Sequence, residues 1–336
     1  MNSMSKILLS AVILMGGNVG YSRVIDSAYE VGTWPGFRQA AISYTFDDGC
    51  SNQFAIAIPM FNEFDFKLTL FIVTNWDPNW ADLQKAASQG HEIASHTVTH
   101  PYLDKINIEQ QETELKYSHD IINANIENSK CVTFAYPYCR AGDESLCKQY
   151  YIAARACQGF IEKSTPDDFL NISSIICGNL GAIKTTEDFS KKFEDTKESN
   201  GWSVLLFHGI DDDGGYSPIP SKTLRESLEY LDARKDTFWV ATFVNAVRYI
   251  RERDDVSIRE ICNQQARITL QVKDTLDDSI YNYPLTIRRE LPQGWESVDV
   301  SQNNQALKTS IVEVNSKKYI MFDVVPDSGD VIISKG

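Results

Sequence analysis

The sequence predicts an α/β domain followed by a small all-β domain. Two observations carry this. From about residue 40 to residue 253, short apolar and β-branched runs alternate with longer amphipathic stretches, the pattern of strands joined by crossover helices. After about residue 262 the helical period disappears, and short strand-like runs follow one another between turn-rich segments.

Taken in order, residues 40–46 read as a buried strand and 52–64 as a helix, with Pro59 an irregularity because proline removes a donor from the helical ladder. The aromatic and β-branched run 68–73 is a second strand. Residues 82–89 form a helix that ends at Gly90, a residue suited to the left-handed C-cap position. Short strands at 91–95 and 131–135 flank a polar amphipathic helix at 109–126, and a helix at 144–151 follows. A strand at 203–207, a helix at 221–234, a strand at 238–243 and a helix at 245–253 complete the domain. A (β/α) barrel and an open doubly wound sheet both satisfy this order. In the second part, strands are expected at 266–272, 285–289, 298–300, 309–314, 319–325 and 331–334. Turns at Asp277-Asp278, Pro292-Gln293-Gly294 and Asp327-Ser328-Gly329 separate them, and the whole reads as a sandwich. Its aromatics Trp295 and Tyr281 are expected in the core, with the module packing against the first domain; exposed sugar platforms, or a surface for a partner, are the alternatives. The domain boundaries follow: a leader at 1–20, the α/β domain at 21–262 and the β domain at 263–336.

With 336 residues, 43% hydrophobic, the chain can bury a sizeable core. Its net charge of -14 opposes nonspecific binding to nucleic acid or anionic lipid, but not to a neutral glycan. Lys6 precedes an apolar run at 7–15, and Gly16, Gly17 and Gly20 follow, the layout of a secretory signal peptide and too short to span a bilayer. The protein is therefore expected to be secreted or periplasmic, with no membrane span. Export permits disulfides, and the seven cysteines leave at least one thiol unpaired in a monomer. Cys139 with Cys147, or Cys157 with Cys177, could bridge; the sequence fixes neither the connectivity nor the oligomeric state.

Four clusters carry chemistry. Thr45-Phe46-Asp47-Asp48-Gly49 ends the first strand. Adjacent side chains of an extended segment point opposite ways, so one aspartate can face a metal and the other a substrate water. His96 and His100 stand at i and i+4; on a helical turn both imidazoles would share a face. With an aspartate oxygen they make a two-His, one-Asp set with open positions for water, suited to Zn²⁺ or a similar divalent ion such as Co²⁺ or Ni²⁺. Phe134-Ala135-Tyr136-Pro137-Tyr138 follows another strand, and Leu205-Leu206-Phe207-His208-Gly209 ends a fourth with a histidine. His91 is read as structural, and His119 as solvent-exposed.

Together and in this order, these motifs resemble the polysaccharide deacetylase family with the NodB homology domain (carbohydrate esterase family 4), over roughly residues 40–250. The resemblance implies a distorted (β/α) barrel with its site at the C-terminal ends of the strands. It implies Asp47 as general base, Asp48, His96 and His100 as metal ligands, Tyr138 as the residue whose main-chain N–H helps form the oxyanion hole, His208 as general acid and Leu206 as the lining of the acetyl-methyl pocket. The substrate would be an acetylated polysaccharide or oligosaccharide, with N-acetyl groups of an amino-sugar polymer favoured. An esterase acting on O-acetyl groups of a xylan-type glycan, and a metal-retaining glycan-binding pseudoenzyme, are the alternatives. Two features depart from the pattern. Ala135 stands where the family usually has an arginine that pairs with the base, which leaves Arg140 as a substitute. The segment that orients the acid histidine is not recognisable, leaving Asp188 and Asp195 as candidates by position.

Overall fold

The structure is a computed structural model and describes residues 23–336; the leader expected at 1–20 lies outside them. A short strand, β1 (Tyr29–Val31), comes first. The α/β domain then runs β2 (Ala40–Asp47), a single π-helical turn (Gln53–Ala57) leading into α1 (Ile58–Glu63), β3 (Thr69–Ile72), α2 (Trp80–Ser88), β4 (Glu92–Ser95) and α3 (Ile108–Asn125). It continues with β5 (Thr133–Ala135), α4 (Glu144–Tyr150), β6 (Ala153–Arg155), β7 (Ile175–Ile176), α5 (Thr186–Glu198), β8 (Trp202–Phe207), α6 (Ser221–Asp232), β9 (Phe238–Val240) and α7 (Phe243–Asp255). The expected irregularity at Pro59 takes the form of the π turn immediately before it.

All these strands after β1 pair in parallel, in the order β6-β5-β4-β3-β2-β8-β7, with β9 added beside the start of β2. The two ends of this sheet approach each other. Segment 169–172 bonds to the free edge of β6, through Ala154 N–H to Phe169 O (2.8 Å) and Ala156 N–H to Ile172 O (2.7 Å), and then leads directly into β7. The sheet is therefore a distorted, incompletely closed barrel rather than an open one. Strand β2 is buried along its whole length, as the centre of such a sheet requires.

Three elements of the α/β domain have no counterpart in the sequence reading. Strands β6 and β7 are three and two residues long, too short for any periodicity. Helix α5 is mostly charged, and Phe189 and Phe193 supply most of its buried face, so its apolar period rests on few positions. Its start is marked by a capping box between Thr185 and Asp188.

The C-terminal part contains β10 (Ser257–Gln264), β11 (Arg267–Lys273), β12 (Leu285–Glu290), β13 (Val298–Gln302), β14 (Gln305–Ala306), β15 (Thr309–Val314), β16 (Lys317–Val324) and β17 (Val331–Lys335). They form two antiparallel sheets, β1-β12-β16-β15 and β10-β11-β17-β13-β14, the expected sandwich. The junction, however, lies at Val256 and not at 262. Strand β10 pairs with β11 from Ser257 onward, so position 262 falls inside a hairpin.

The sandwich and the barrel share a core. Trp34, Trp202, Phe243 and Tyr249 of the first part and Ile258, Leu270, Ile287 and Phe322 of the second are buried in one continuous cluster. Burying each such side chain contributes roughly 1.5–3 kcal/mol, so separating the two parts would cost both of them stability. Trp295 is buried in the same cluster and Tyr281 is half-buried, in line with packing roles.

The disulfide joins Cys139 to Cys157, with Cα atoms 5.5 Å apart, which corrects both pairings considered from sequence. Cys147 is instead buried on α4 and Cys177 is buried just past β7, both as free thiols. Among the described residues no helix is long and apolar enough to cross a membrane.

Candidate active site

The chemistry-bearing residues converge on one rim, at the C-terminal ends of the parallel strands. Asp47 ends β2 and Asp48 follows it; His96 and His100 follow β4; Tyr138 follows β5; Arg155 ends β6; His208 follows β8.

The turn after β2 differs from the extended geometry expected. Asp48 and Gly49 both take left-handed conformations (φ 73° and 71°), and the Asp48 N–H donates to Phe71 O at 3.1 Å. This swings Asp48 back, so that both carboxylates face the same cavity instead of opposite sides. His208 Nε2 lies 3.9 Å from Asp47 Oδ2 and 4.0 Å from Asp48 Oδ2.

His96 and His100 meet without a helix. Thr97 and His100 adopt positive φ (70° and 60°), and the His100 N–H donates to Thr97 Oγ1 at 2.9 Å. Glu114 of α3 holds the turn from behind, accepting from the N–H groups of Val98 and Thr99 at 2.8 Å each. The result is a left-handed loop that brings the imidazoles to 4.8 Å between centroids.

Asp48 Oδ1 sits 3.8 Å from His96 Nε2 and 3.7 Å from His100 Nε2, and one ligand atom of each residue lies within 4.8 Å of the others. Asp48 Oδ1 is buried with no hydrogen-bond partner among the described residues. His96 Nδ1 lies 2.7 Å from Ala135 O; a carbonyl only accepts, so Nδ1 carries the proton and Nε2 turns its lone pair to the cluster. Burial, with the neighbouring Asp47, pushes the Asp48 carboxyl up to about 7. An orphaned carboxylate oxygen beside two imidazoles held neutral by burial is a donor set that fits a divalent cation such as Zn²⁺.

Asp47 is gripped by a residue the sequence reading missed. Arg155, itself buried, donates Nη2–H to Asp47 Oδ2 at 2.5 Å and Nη1–H to Ser174 Oγ at 3.1 Å. Burial pushes the Asp47 carboxyl up, but Arg155, His96 and His208 outweigh it and hold it below the usual carboxylate value. Asp47 Oδ1 has no partner among the described residues. Arg140 does not take this role: it is exposed and pairs with Asp104 at 3.0 Å. The signal that could have pointed to Arg155 is a lone arginine in the apolar run Ala153-Ala154-Arg155-Ala156, where a buried charge needs a partner. Gln53 was also missed. Its Nε2 donates to Asp47 O at 2.6 Å and His208 O at 2.9 Å, clamping the ends of β2 and β8 together.

His208 Nδ1 is buried without a partner among the described residues. Neither candidate for orienting it is near: Asp188 accepts from the N–H groups of Lys184 and Thr185 at the start of α5, and Asp195 pairs with Lys191 at 2.7 Å. The imidazole instead meets the edge of Tyr216, with centroids 5.0 Å apart. Burial draws its pKa down, against the pull of Asp47. Leu206 is buried on β8 two residues before His208, on the same face of the strand. Tyr138 is in the left-handed region (φ 54°) with its ring stacked on Tyr102 at 3.8 Å and edge-on to His100 at 4.5 Å.

His91 lies outside the cluster, accepting from the Leu68 N–H at 3.2 Å, a structural contact. His119 is half-buried rather than exposed, because it packs against Tyr150 and Tyr151.

Residues 36–152 match the polysaccharide deacetylase family profile. The chain is 29% identical over 331 residues to a gellan lyase from a Bacillus species, an alignment covering 90% of this chain and 13% of that protein. It is 28% identical over 89 residues to the peptidoglycan-N-acetylglucosamine deacetylase of Bacillus cereus, covering 26% of this chain and 32% of the relative. This chain thus spans well under two thirds of the length of these relatives. Among solved structures, the Xyl-CE4 domain of a multidomain xylanase from the hindgut metagenome of Trinervitermes trinervoides aligns with a TM-score of 0.46 at 15% identity, over 62% of this chain and 89% of that one.

Proposed function

We propose that this chain, whose α/β domain carries a polysaccharide deacetylase family segment, is an exported metal-dependent hydrolase that removes N-acetyl groups from an amino-sugar polymer. One observation supports this reading above the others. A buried carboxylate with one oxygen held by Arg155 and the other free stands beside an orphaned Asp-His-His cluster, at the mouth of a barrel.

Asp48, His96 and His100 would hold the metal, taken as Zn²⁺. Bound there, the cation would supply Lewis acidity toward the acetyl carbonyl and an attacking water. Asp47 Oδ1 accepts the proton of the attacking water, while the Arg155 guanidinium fixes Oδ2 and keeps the carboxylate ionised and ready. The Tyr138 N–H donates to the developing oxyanion; one such donor is worth about 10²–10³ in rate. His208 hands a proton to the leaving nitrogen, and Leu206 borders the acetyl methyl. Acetate leaves and the sugar keeps a free amine. The disulfide supports an oxidising compartment, in keeping with export.

Acetate release from a panel of N- and O-acetylated glycans, with and without chelator, tests the proposal. Chelator-sensitive release from N-acetylated oligomers, lost in Asp47→Asn, is expected. Release only from O-acetylated xylan would reverse the substrate class. Release that chelator leaves untouched would defeat the metal mechanism, and glycan binding with no release from any substrate would leave a binding protein.

A further inference from the structure

Tyr138 and Arg155 act on opposite sides of the proposed reaction, yet they sit on different strand ends. Strands β5 and β6 are three residues each, and their pairing stops at Ala135 opposite Arg155. Beyond that point Tyr138 and Cys139 both adopt left-handed backbone (φ 54° and 59°), a region that costs non-glycine residues free energy and needs support from the surrounding structure. Side-chain packing there is partly open to solvent. Tyr138 is half exposed, and so is Tyr102, on which its ring stacks. The disulfide falls at this place: Cys139 directly follows Tyr138, and Cys157 stands two residues after Arg155.

We propose that the Cys139–Cys157 disulfide is a positioning element of the reaction, and not only a stabilising staple. It ties the segment that presents the Tyr138 N–H to the strand end that presents the Arg155 guanidinium, so that oxyanion donor and base address one acetyl group together. This rests on the deacetylase reading given above. The proposed metal ligands lie on two other strand ends, after β2 and β4; they meet this region where His96 Nδ1 donates to Ala135 O, inside β5, and where His100 packs on the Tyr138 ring, not at the Tyr138 main chain that the bond positions. Losing it therefore lowers turnover while leaving metal binding and most substrate binding in place. A displacement of about 1 Å at a reacting group can cost on the order of 10²-fold in rate, so a fall of about 10–100-fold in kcat is expected.

The test compares wild type with Cys139→Ser/Cys157→Ser, both loaded with zinc, for acetate release, zinc content and amide hydrogen exchange. The expected result is a fall of about 10–100-fold in kcat with KM changed by less than about threefold. Zinc content stays the same, and exchange accelerates in 136–141 but not in the strands of the barrel. Unchanged kcat overturns the proposal. So does a loss of zinc with faster exchange throughout the domain, which marks the bond as merely structural. If the double variant does not fold, folded wild type treated with a water-soluble phosphine gives the same comparison. The reagent breaks the S–S bond to two thiols and becomes its oxide, taking oxygen from water. If oxidised wild type releases no acetate from any glycan, the deacetylase reading fails by itself. Exchange then judges the bond: no acceleration in 136–141 on losing it overturns the positioning role.

Discussion

Arg155 stands directly opposite Ala135 across two adjacent parallel strands, and from there its guanidinium reaches Asp47 at 2.5 Å. The carboxylate's partner thus comes from β6, not from β5 or the loop beyond it. Arg155→Ala is expected to lower kcat/KM by on the order of 10²-fold, since it removes a preorganised charge from Asp47, the proposed base. Arg140→Ala should stay within about twofold, because its partner Asp104 is a surface pair of little energetic weight. Steady-state acetate release measures both. Equal effects of the two substitutions would contradict the assignment.

Asp48→Ala removes the only carboxylate of the three-residue cluster. Zinc content after dialysis is expected to drop to background, together with activity, while the thermal melt of the zinc-free protein changes little or rises. The sign follows from burial: without a cation, Asp48 is a carboxyl pushed up to about 7 beside Asp47, and removing it relieves that repulsion. Elemental analysis and calorimetry read the two outcomes separately.

Gln53→Leu should reduce both stability and turnover. Its amide bonds two buried strand ends, at Asp47 O and His208 O. Leaving buried acceptors unpaired costs about 1–3 kcal/mol. A drop in kcat of about tenfold with zinc content intact is expected, because the separation of Asp47 and His208 loosens while the cluster of Asp48, His96 and His100 stays assembled. Denaturant unfolding and single-turnover acetate release check the two parts.

Stability should fall as pH rises through the range set by Glu252. This residue of α7 is buried, accepts from the Tyr283 N–H at 2.7 Å, and has no partner for Oε2 among the described residues. Burial pushes its carboxyl up to about 8, with Asp274 and Asp278 adding and the Tyr283 N–H and Arg248 opposing. The folded state therefore keeps a proton that the unfolded chain loses near the ordinary glutamate value. The contribution is fully present below about pH 4 and is lost between there and about pH 8. Glu252→Gln should melt higher than wild type above pH 8, with the gain vanishing at low pH. A melting difference independent of pH would refute it.

The layout of the site was legible in the sequence where residue type and order carry it. Asp48, His96 and His100 do form one cluster, and Asp47 and His208 do face it. What the sequence hid has a common physical origin. The helical turn expected for His96 and His100 gives way to a loop because left-handed residues at Thr97 and His100, tied by Glu114, reach the same convergence another way. Spacing alone cannot separate the two routes. Arg155 and Gln53 were missed because their roles depend on partners brought close by folding: Asp47 lies 108 residues from Arg155 in sequence, and His208 lies 155 residues from Gln53. The disulfide escaped for the same reason: β5 and β6 had to be placed side by side before Cys139 and Cys157 became neighbours. The junction at Val256 was missed because β10 opens on the heels of α7, without the polar linker that usually marks a boundary.

Strand β1 lies ahead of the barrel in sequence but is sewn into the sandwich that follows it, paired with β12 from Tyr29–Arg289 to Val31–Ile287. The two parts are therefore not beads on a string. A recombination event that cut between them would strand one sheet without its edge and open the shared core around Trp34 and Phe322. For the protein engineer the consequence is direct: an exchange of the barrel is expected to fold only when its sandwich moves with it as one cassette.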